Sequence, residues 1–491
     1  MLLLLACPAP DQPPRSLPES VPVDSVSDSV SDSAESVFSE QLADADHVFL
    51  GESREGTGFN AADWFGWRVA GVGDVDGDGR PDLLMTGRYD DEGDEDAGKV
   101  YLVTATDISG GLSTNIAEVS SKWYGEGQDD HAGRDISPAG DIDGDGLADL
   151  FISSYYSGDA YQAGSAYVVL GASITPGSHP LAEADIIVRG EEEFEFVGRS
   201  IDGGEDLDGD GEDDLLVGSM GWDNQRGRVC QISGAALQSG PLGDVASSCA
   251  LGEAVADNMG MDVAGVGDVD GDGLGDVLIG AWTYNGDELN QGRAYLSLGG
   301  LADGSAADLD YSWDGMEERA SLGRAVAGAG DVDGDGLADF LVGAHGPFGS
   351  ASSAGHTYLF YGAALPEPGT YDISAADLVF DGSAPNDYSG DALDSAGDVD
   401  GDGLDDLIFG ALFTGDQGGT AYLWYAAGLG PTGTYSLDEA DQLFHSETDG
   451  DRAGASVTGP GDIDGDGRDD LLIGAYGHDA ERGAAYLVLA P

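Results

Sequence analysis

The chain has 491 residues and a formal net charge of −76, from 94 acidic against 18 basic residues. That balance excludes nucleic acid and anionic membrane as natural partners, since both repel it at long range. Cationic partners or a salty environment are compatible with it. Length alone would allow about three domains, but an internal repeat overrides that reading. Only two lysines occur, Lys99 and Lys122, which fits either halophilic adaptation or GC-rich coding.

The chain opens Met1-Leu-Leu-Leu-Leu-Ala-Cys7. Leu4-Leu-Ala-Cys7 resembles a bacterial lipobox, in which the cysteine is lipidated after signal cleavage. The apolar run is shorter than a signal h-region and has no basic start, so either the true start lies upstream or the match is coincidence. We read residues 1–7 as a signal and lipobox remnant with Cys7 as the lipidation site. Residues 8–45 are Pro-rich and then run Asp24-Ser-Val-Ser-Asp-Ser-Val-Ser-Asp-Ser33. Their low apolar content predicts a disordered tether, suited to holding residues 46–491 off a surface. No transmembrane helix is expected.

From there one acidic loop, D-x-D-G-D-G-x-x-D, recurs seven times, with first aspartates 67, 65, 62, 63, 67 and 64 residues apart. A fixed period of this size marks a repeat architecture. A hard cation such as Ca²⁺ takes six to eight oxygens, and a short loop offers them from alternate residues. The expected ligands are Asp74, Asp76, Asp78 and Asp82 with the carbonyl of Arg80, then Asp141, Asp143, Asp145 and Asp149 with that of Leu147. They continue as Asp206, Asp208, Asp210 and Asp214 with Glu212, then Asp268, Asp270, Asp272 and Asp276 with Leu274. The last three sets are Asp331, Asp333, Asp335 and Asp339 with Leu337, then Asp398, Asp400, Asp402 and Asp406 with Leu404, then Asp462, Asp464, Asp466 and Asp470 with Arg468. The glycines at positions 4 and 6 permit the tight turn. Up to seven Ca²⁺ are therefore expected, one per repeat. An EF-hand would need a glutamate at position 12 and a following helix. Here position 12 is Met85, Ile152, Val217, Ile279, Val342, Phe409 and Ile473, each inside a short apolar run that reads as a buried strand.

Four strands recur around each loop. Strand A lies between a glycine eight residues before the first aspartate (Gly66, Gly133, Gly198, Gly260, Gly323, Gly390, Gly454) and the loop, and its small residues suit an inner position. Strand B follows the loop, as in Leu215-Leu-Val-Gly-Ser219; strand C is Gly98-Lys-Val-Tyr-Leu-Val103 or its equivalent; strand D ends in Gly-Glu, as in Val48-Phe-Leu-Gly-Glu52. Four short strands repeated seven times predict an all-β, seven-bladed propeller of four-stranded antiparallel blades. The ordered region starts on a D-type strand and stops after a C-type strand. Residues 47–51 are therefore expected to pair with 485–489 and close the last blade.

On these residues the chain resembles the FG-GAP repeats that build the seven-bladed propeller of integrin α chains and related bacterial surface proteins. The motif's halves stand as Phe65-Gly66 and as Gly280-Ala281, Gly343-Ala344, Gly410-Ala411 and Gly474-Ala475. The phenylalanine becomes Ala132, Val197, Met259, Leu322, Ser389 and Ala453, and the second repeat has Ser153-Ser154 for Gly-Ala. The resemblance implies calcium in the A–B loops, on the face opposite the ligand-binding one. An integrin's other domains are not present, so its partners and signalling role do not transfer.

Strand order puts the B–C and D–A loops together on that other face. The B–C loops carry Tyr89, Tyr155, Tyr156, Tyr161, Trp222, Trp282, Tyr284, Phe348, Phe413 and Tyr476, expected as exposed anchors for a protein or sugar. Cys230 and Cys249 fall on neighbouring strands C and D, as a cross-strand disulfide or as two buried thiols. Gly93-Asp-Glu-Asp-Ala-Gly-Lys99 lacks the Ser/Thr and the helix of a phosphate loop. No G-x-S-x-G or H-x-x-x-H occurs, and no catalytic constellation is visible. The reading is an extracytoplasmic, calcium-loaded propeller: an outer-membrane or cell-surface lipoprotein or a secreted protein, monomeric, binding a protein or glycan in adhesion. The alternative is a carbohydrate-active hydrolase or lyase using the central face. Arg, His and paired acids converging at the channel mouth would favour the enzyme; exposed rim aromatics would favour binding.

Overall fold

The computed structural model describes residues 38–52, 63–108, 112–158, 160–346, 354–414 and 418–490. Expectations for residues 1–37, Cys7 among them, and for Phe348 fall outside these residues. A glycine whose conformation few other residues adopt stands at or just before the start of each inner strand. Gly66 has φ 78°, and a Cβ there would stand 2.1 Å from the carbonyl oxygen of Ala484 in the preceding blade. The repeat glycine is thus both a left-handed turn and the point of closest approach between blades.

Seven such units form seven five-stranded sheets. In blade 5, strands A to D are Leu322–Gly330, Asp339–Ala344, His356–Phe360 and Leu378–Asp381. They pair as a consecutive antiparallel meander. The four expected antiparallel strands are present, and every sheet carries a fifth. In blade 5 it is Gly433–Ser436, contributed by the C–D connection of the next unit and paired parallel to strand D. These outer segments are short and follow no hydrophobic alternation, so no strand signal marks them in the sequence.

The ring closes as expected. His47–Leu50 pairs antiparallel with strand C of blade 7, Ala484–Val488, with Val48 opposite Tyr486. The preceding segment, Phe38–Gln41, expected as part of the disordered tether, instead supplies the fifth strand of blade 6, because backbone pairing with Gln442–His445 orders it. One N-terminal stretch therefore serves two blades and leaves neither with a bare edge.

Strands B and C are buried on both faces: every residue of Leu83–Gly87 and Lys99–Val103 is buried. This explains why they read as continuous apolar runs. The core is divided among seven hydrophobic clusters, one at each junction between adjacent blades. A polar tie accompanies the packing. Glu52, after strand D of blade 7, accepts hydrogen bonds from Tyr101 (3.2 Å) and Lys99 (2.7 Å) of blade 1. Glu126, Glu253 and Glu447 likewise accept the hydroxyls of Tyr167, Tyr295 and Tyr486 at 2.8, 3.0 and 3.0 Å, each one blade on. In these four blades the glutamate that follows strand D is therefore an inter-blade link.

Candidate functional site

The acidic loops are wound around their own first aspartate. In the first loop, Asp74 Oδ1 accepts the N–H groups of Gly77 (2.7 Å) and Asp78 (3.0 Å), and Oδ2 accepts that of Gly79 (2.7 Å). The position-3 and position-5 carboxylates take the next N–H groups, as in Asp78 to Asp76 (3.2 Å) and Arg80 to Asp78 (3.0 Å). Carboxylate oxygens of positions 1, 3 and 9 lie within 4.8 Å of one another in blades 1, 2, 4 and 5, and those of positions 1, 3 and 5 do so in blade 3. Asp141 Oδ1 and Asp398 Oδ1 are buried without any hydrogen-bond partner. Such a set, all oxygen, negatively charged and partly unsatisfied, fits a hard cation.

The position-9 aspartate has a second role that the repeat spacing did not reveal. Asp82 Oδ2 accepts the N–H of Val75 (3.0 Å), and its Oδ1 accepts that of Ala105 (3.1 Å) in the C–D turn. Asp149, Asp214, Asp276, Asp339, Asp406 and Asp470 repeat this, the last reaching Ala490 at 2.8 Å. Each fastens the acidic loop to the neighbouring turn of its own blade. Burial above all, and then the other loop carboxylates, pushes Asp82, Asp339 and Asp406 up to about 7 against the pull of these N–H groups. A bound cation would favour the ionised form instead. Adjacent loops are also tied, with Asp141 N–H donating to Asp213 (3.0 Å), Asp331 to Asp405 (2.7 Å) and Asp398 to Asp469 (2.9 Å).

The seven inner strands surround a central cavity of about 530 Å³. Glu205, Asp394 and Asp202 in its lining are pushed up to about 8, 7 and 6, chiefly by burial and then by neighbouring carboxylates. At the repeat-glycine end of the same strands arginines stand beside Asp135, Asp262 and Asp391. Arg134, Arg199 and Arg324 each directly follow the repeat glycine, and Arg68 comes one residue later. In blades 1, 3 and 5 these residues sit in a register shift of strand A, a bulge that re-aims side chains. Three of the sixteen arginines immediately after a repeat glycine was the sequence signal for this cluster, and the loop motif drew attention away from it.

The B–C aromatics are not bare. Tyr155 and Tyr476 are 6% exposed, and Tyr89, Tyr156, Trp222, Trp282, Tyr284 and Phe413 are half-buried; Tyr161 is 64% exposed. Arginines cover most of them. Arg88 Cζ is 4.6 Å from the Trp67 ring and 5.2 Å from Tyr89; Arg228 is 5.4 Å from Trp222, Arg293 4.0 Å from Tyr284, Arg324 5.3 Å from Trp282 and Arg452 4.9 Å from Tyr476. Tyr156 stacks on Tyr155 with centroids 3.9 Å apart, and Phe413 packs edge-on against Tyr388 at 5.3 Å. A positively charged guanidinium gains by lying over a ring face, so these rings are drawn out of solvent by arginines, some near in sequence, as Arg88 beside Tyr89, and some far, as Arg324 over Trp282. Cys230 and Cys249 are directly opposed on strands C and D of blade 3 and joined by a disulfide. Among the described residues, no helix is long and apolar enough to cross a membrane.

Five segments, residues 65–103, 132–169, 197–229, 322–360 and 453–488, match the model of the FG-GAP repeat. They lie in blades 1, 2, 3, 5 and 7. Curated relatives include integrin alpha-PS2 of Drosophila melanogaster, 30% identical over 219 residues, covering 43% of this chain and 15% of that protein. Integrin alpha-5 of Xenopus laevis is 32% identical over 225 residues, covering 44% and 20%. Integrin alpha-IIb of Homo sapiens is 34% identical over 169 residues, covering 33% and 15%. The aligned part is thus at most a fifth of each of these relatives. The chain carries five FG-GAP repeats within its seven-bladed propeller and is similar over part of its length to integrin alpha chains.

Proposed function

We propose that this propeller is an extracytoplasmic binding module, stiffened by Ca²⁺ on one face and engaging a protein or glycan on the other. Asp positions 1, 3, 5 and 9 of each loop, with the position-7 carbonyl, would hold the cation. The observation that carries the calcium reading is the pair of buried carboxylate oxygens, Asp141 Oδ1 and Asp398 Oδ1, that no protein donor satisfies. Bound calcium would neutralise carboxylates that otherwise repel each other, and so stabilise the ring on which the opposite face depends. Ca²⁺ is favoured over Mg²⁺ because the latter demands stricter octahedral geometry. Cell-surface attachment through Cys7 belongs to the same reading, and intact mass of protein from its native source, with or without a lipid adduct, tests it.

The alternative, a carbohydrate-active enzyme, draws on the arginines, histidines and acids that do converge at the channel mouth. Their carboxylates are already engaged. Asp135 accepts from Arg68 Nε and Ile201 N–H, both at 3.1 Å. Asp391 accepts from His345 Nδ1 at 2.9 Å and lies 3.4 Å from Arg324. Although burial opposes it, Arg324 above all, and then the His345 hydrogen bond, hold Asp391 down at about 2, where it is a poor base or acid at neutral pH. Binding is therefore the stronger reading. A glycan array and a pull-down from native surface material, each run with calcium and with EGTA, test it. Retention that depends on calcium, and is lost in a folded Trp222→Ala/Trp282→Ala variant, is expected. Release of shortened sugar products would instead establish the enzyme.

A further inference from the structure

Hydrogen-bond donors gather without acceptors at the mouth between blades 1 and 3. Arg134 is only 6% exposed, and its Nη1 has no partner. Arg88 Nε, Trp67 Nε1 and His131 Nδ1, which can carry the ring N–H, are buried without partners as well. Shared rings hold these groups together. Arg88 Cζ lies 4.6 Å from the Trp67 ring, Arg134 Cζ lies 5.8 Å from that ring and 5.5 Å from Tyr155, and His131 stacks edge-on at 4.8 Å against Tyr89.

The nearby acids do not answer this charge. Asp135 is held by Arg68 and Ile201, and Asp262 by the Ser200 hydroxyl (3.1 Å) and Val326 N–H (2.9 Å). Asp391 serves His345 and Arg324. Among the described residues Arg88 donates to the Tyr155 hydroxyl at 2.9 Å, and neither it nor Arg134 forms an ion pair. Burial, then Arg199, Arg68 and Arg88 beside it, holds Arg134 well below the usual arginine range. Leaving a buried cation unpaired is costly. A chain with 94 acidic and 18 basic residues has no shortage of carboxylates, so the vacant partner is a feature of this place rather than of composition.

We propose that the Arg88–Arg134 pair, with Arg68 and Arg199 flanking it, binds the carboxylate of a small acidic sugar of the uronic-acid type. This rests on the reading that the face opposite the acidic loops takes the ligand. Guanidinium forks match a planar carboxylate, and the Trp67 and Tyr155 rings that the two guanidiniums pack on suit the sugar ring that carries it. A polyanion is disfavoured, because the whole chain at −76 repels it at long range, whereas a monoanion meets chiefly the local positive field.

The test is calorimetric titration of the full calcium-loaded chain with sodium glucuronate in 0.15 M sodium chloride, as an order-of-magnitude screening condition, with glucose as the neutral control. Glucuronate should bind and glucose should not. Arg134→Gln should weaken glucuronate at least tenfold while melting no lower than the parent, because it removes an unpaired buried charge; Arg88→Gln, at a less buried residue, should do the same. Arg226→Gln, elsewhere on the ring, should leave binding unchanged. Equal response to glucuronate and glucose, or undiminished binding by both arginine variants, overturns the proposal. So does tighter binding of polyglutamate than of glucuronate. Failure here with calcium-dependent capture of surface material intact, and still sensitive to Trp222 and Trp282, would leave the broader binding function standing.

Discussion

Val48 stands directly opposite Tyr486 in the antiparallel ladder that joins the beginning of the propeller to its end. Flanking bonds hold the seam: Leu489 N–H donates to Asp46 at 2.9 Å, and Arg482 Nε donates to the Gly51 carbonyl at 2.6 Å. Phe49, between these, is fully buried in the cluster shared by blades 7 and 1. Truncating such a residue costs about 3–5 kcal/mol. Phe49→Ala should lower the unfolding free energy by that amount in a denaturant titration, in one cooperative transition of the whole ring. Loss confined to a small early transition would mean that the seam is a local attachment and not the closure.

The two kinds of loop aspartate should separate in a calcium-dependent melt. Asp339 accepts Val332 N–H and Gly362 N–H, both at 2.9 Å, so Asp339→Ala strands two buried donors at about 1–3 kcal/mol each. That loss should appear with calcium and with EGTA. Asp335 is exposed and accepts only Leu337 N–H at 2.9 Å, so Asp335→Ala should destabilise the calcium-loaded protein and leave the EGTA form nearly unchanged. For the parent, calcium at a hundredfold excess over Kd should add about 2.7 kcal/mol per site that binds only the folded state. A melting temperature indifferent to EGTA would remove calcium from the account.

Period and loop chemistry made blade number, strand order and closure legible, because one unit had to satisfy the same turn and the same buried strand seven times. The fifth strand was not legible: segments such as Gly304–Ser305 pair through backbone alone, and backbone leaves no side-chain pattern. Asp82 was visible as a candidate ligand but not as a fastener to Ala105, since its partner comes from the next turn. Strand order placed the aromatics on the B–C loops, yet their rings were expected in solvent. Arg293 lies over Tyr284, and an arginine on one strand covering a ring on a neighbouring loop has no signature in either segment alone.

The channel predicts a pH dependence that calcium does not cause. Burial, reinforced by Asp202, pushes Asp394 up to about 7, above the ordinary carboxylate value near ~4 that the unfolded chain would show. The folded state thus holds the proton more tightly. The penalty for ionisation is absent below about pH 4, grows as pH rises, and is complete above 7. Asp394→Asn keeps an acceptor for Ser395 N–H, at 3.0 Å in the parent, and removes the charge. The variant should melt above the parent at pH 8 and match it at pH 4, both in excess calcium. A variant less stable at pH 8 would show that the ionised carboxylate is favoured in the channel.

The disulfide offers the last prediction, and it bears on compartment as well as stability. Cys230 and Cys249 are separated by 19 residues and link strands C and D of blade 3, with Cys230 fully buried in the cluster between blades 2 and 3. Closing a loop of this size stabilises a fold by about 3 kcal/mol, mainly by restricting the unfolded chain. Cys230→Ser/Cys249→Ser should therefore lose roughly 2–4 kcal/mol while keeping the ring and its calcium response. Because such bridges persist in oxidising compartments and are rare in reducing cytosol, protein from its native source, trapped with alkylating reagent before lysis, should show the two cysteines blocked to alkylation. Quantitative labelling of both thiols in that experiment would count against export.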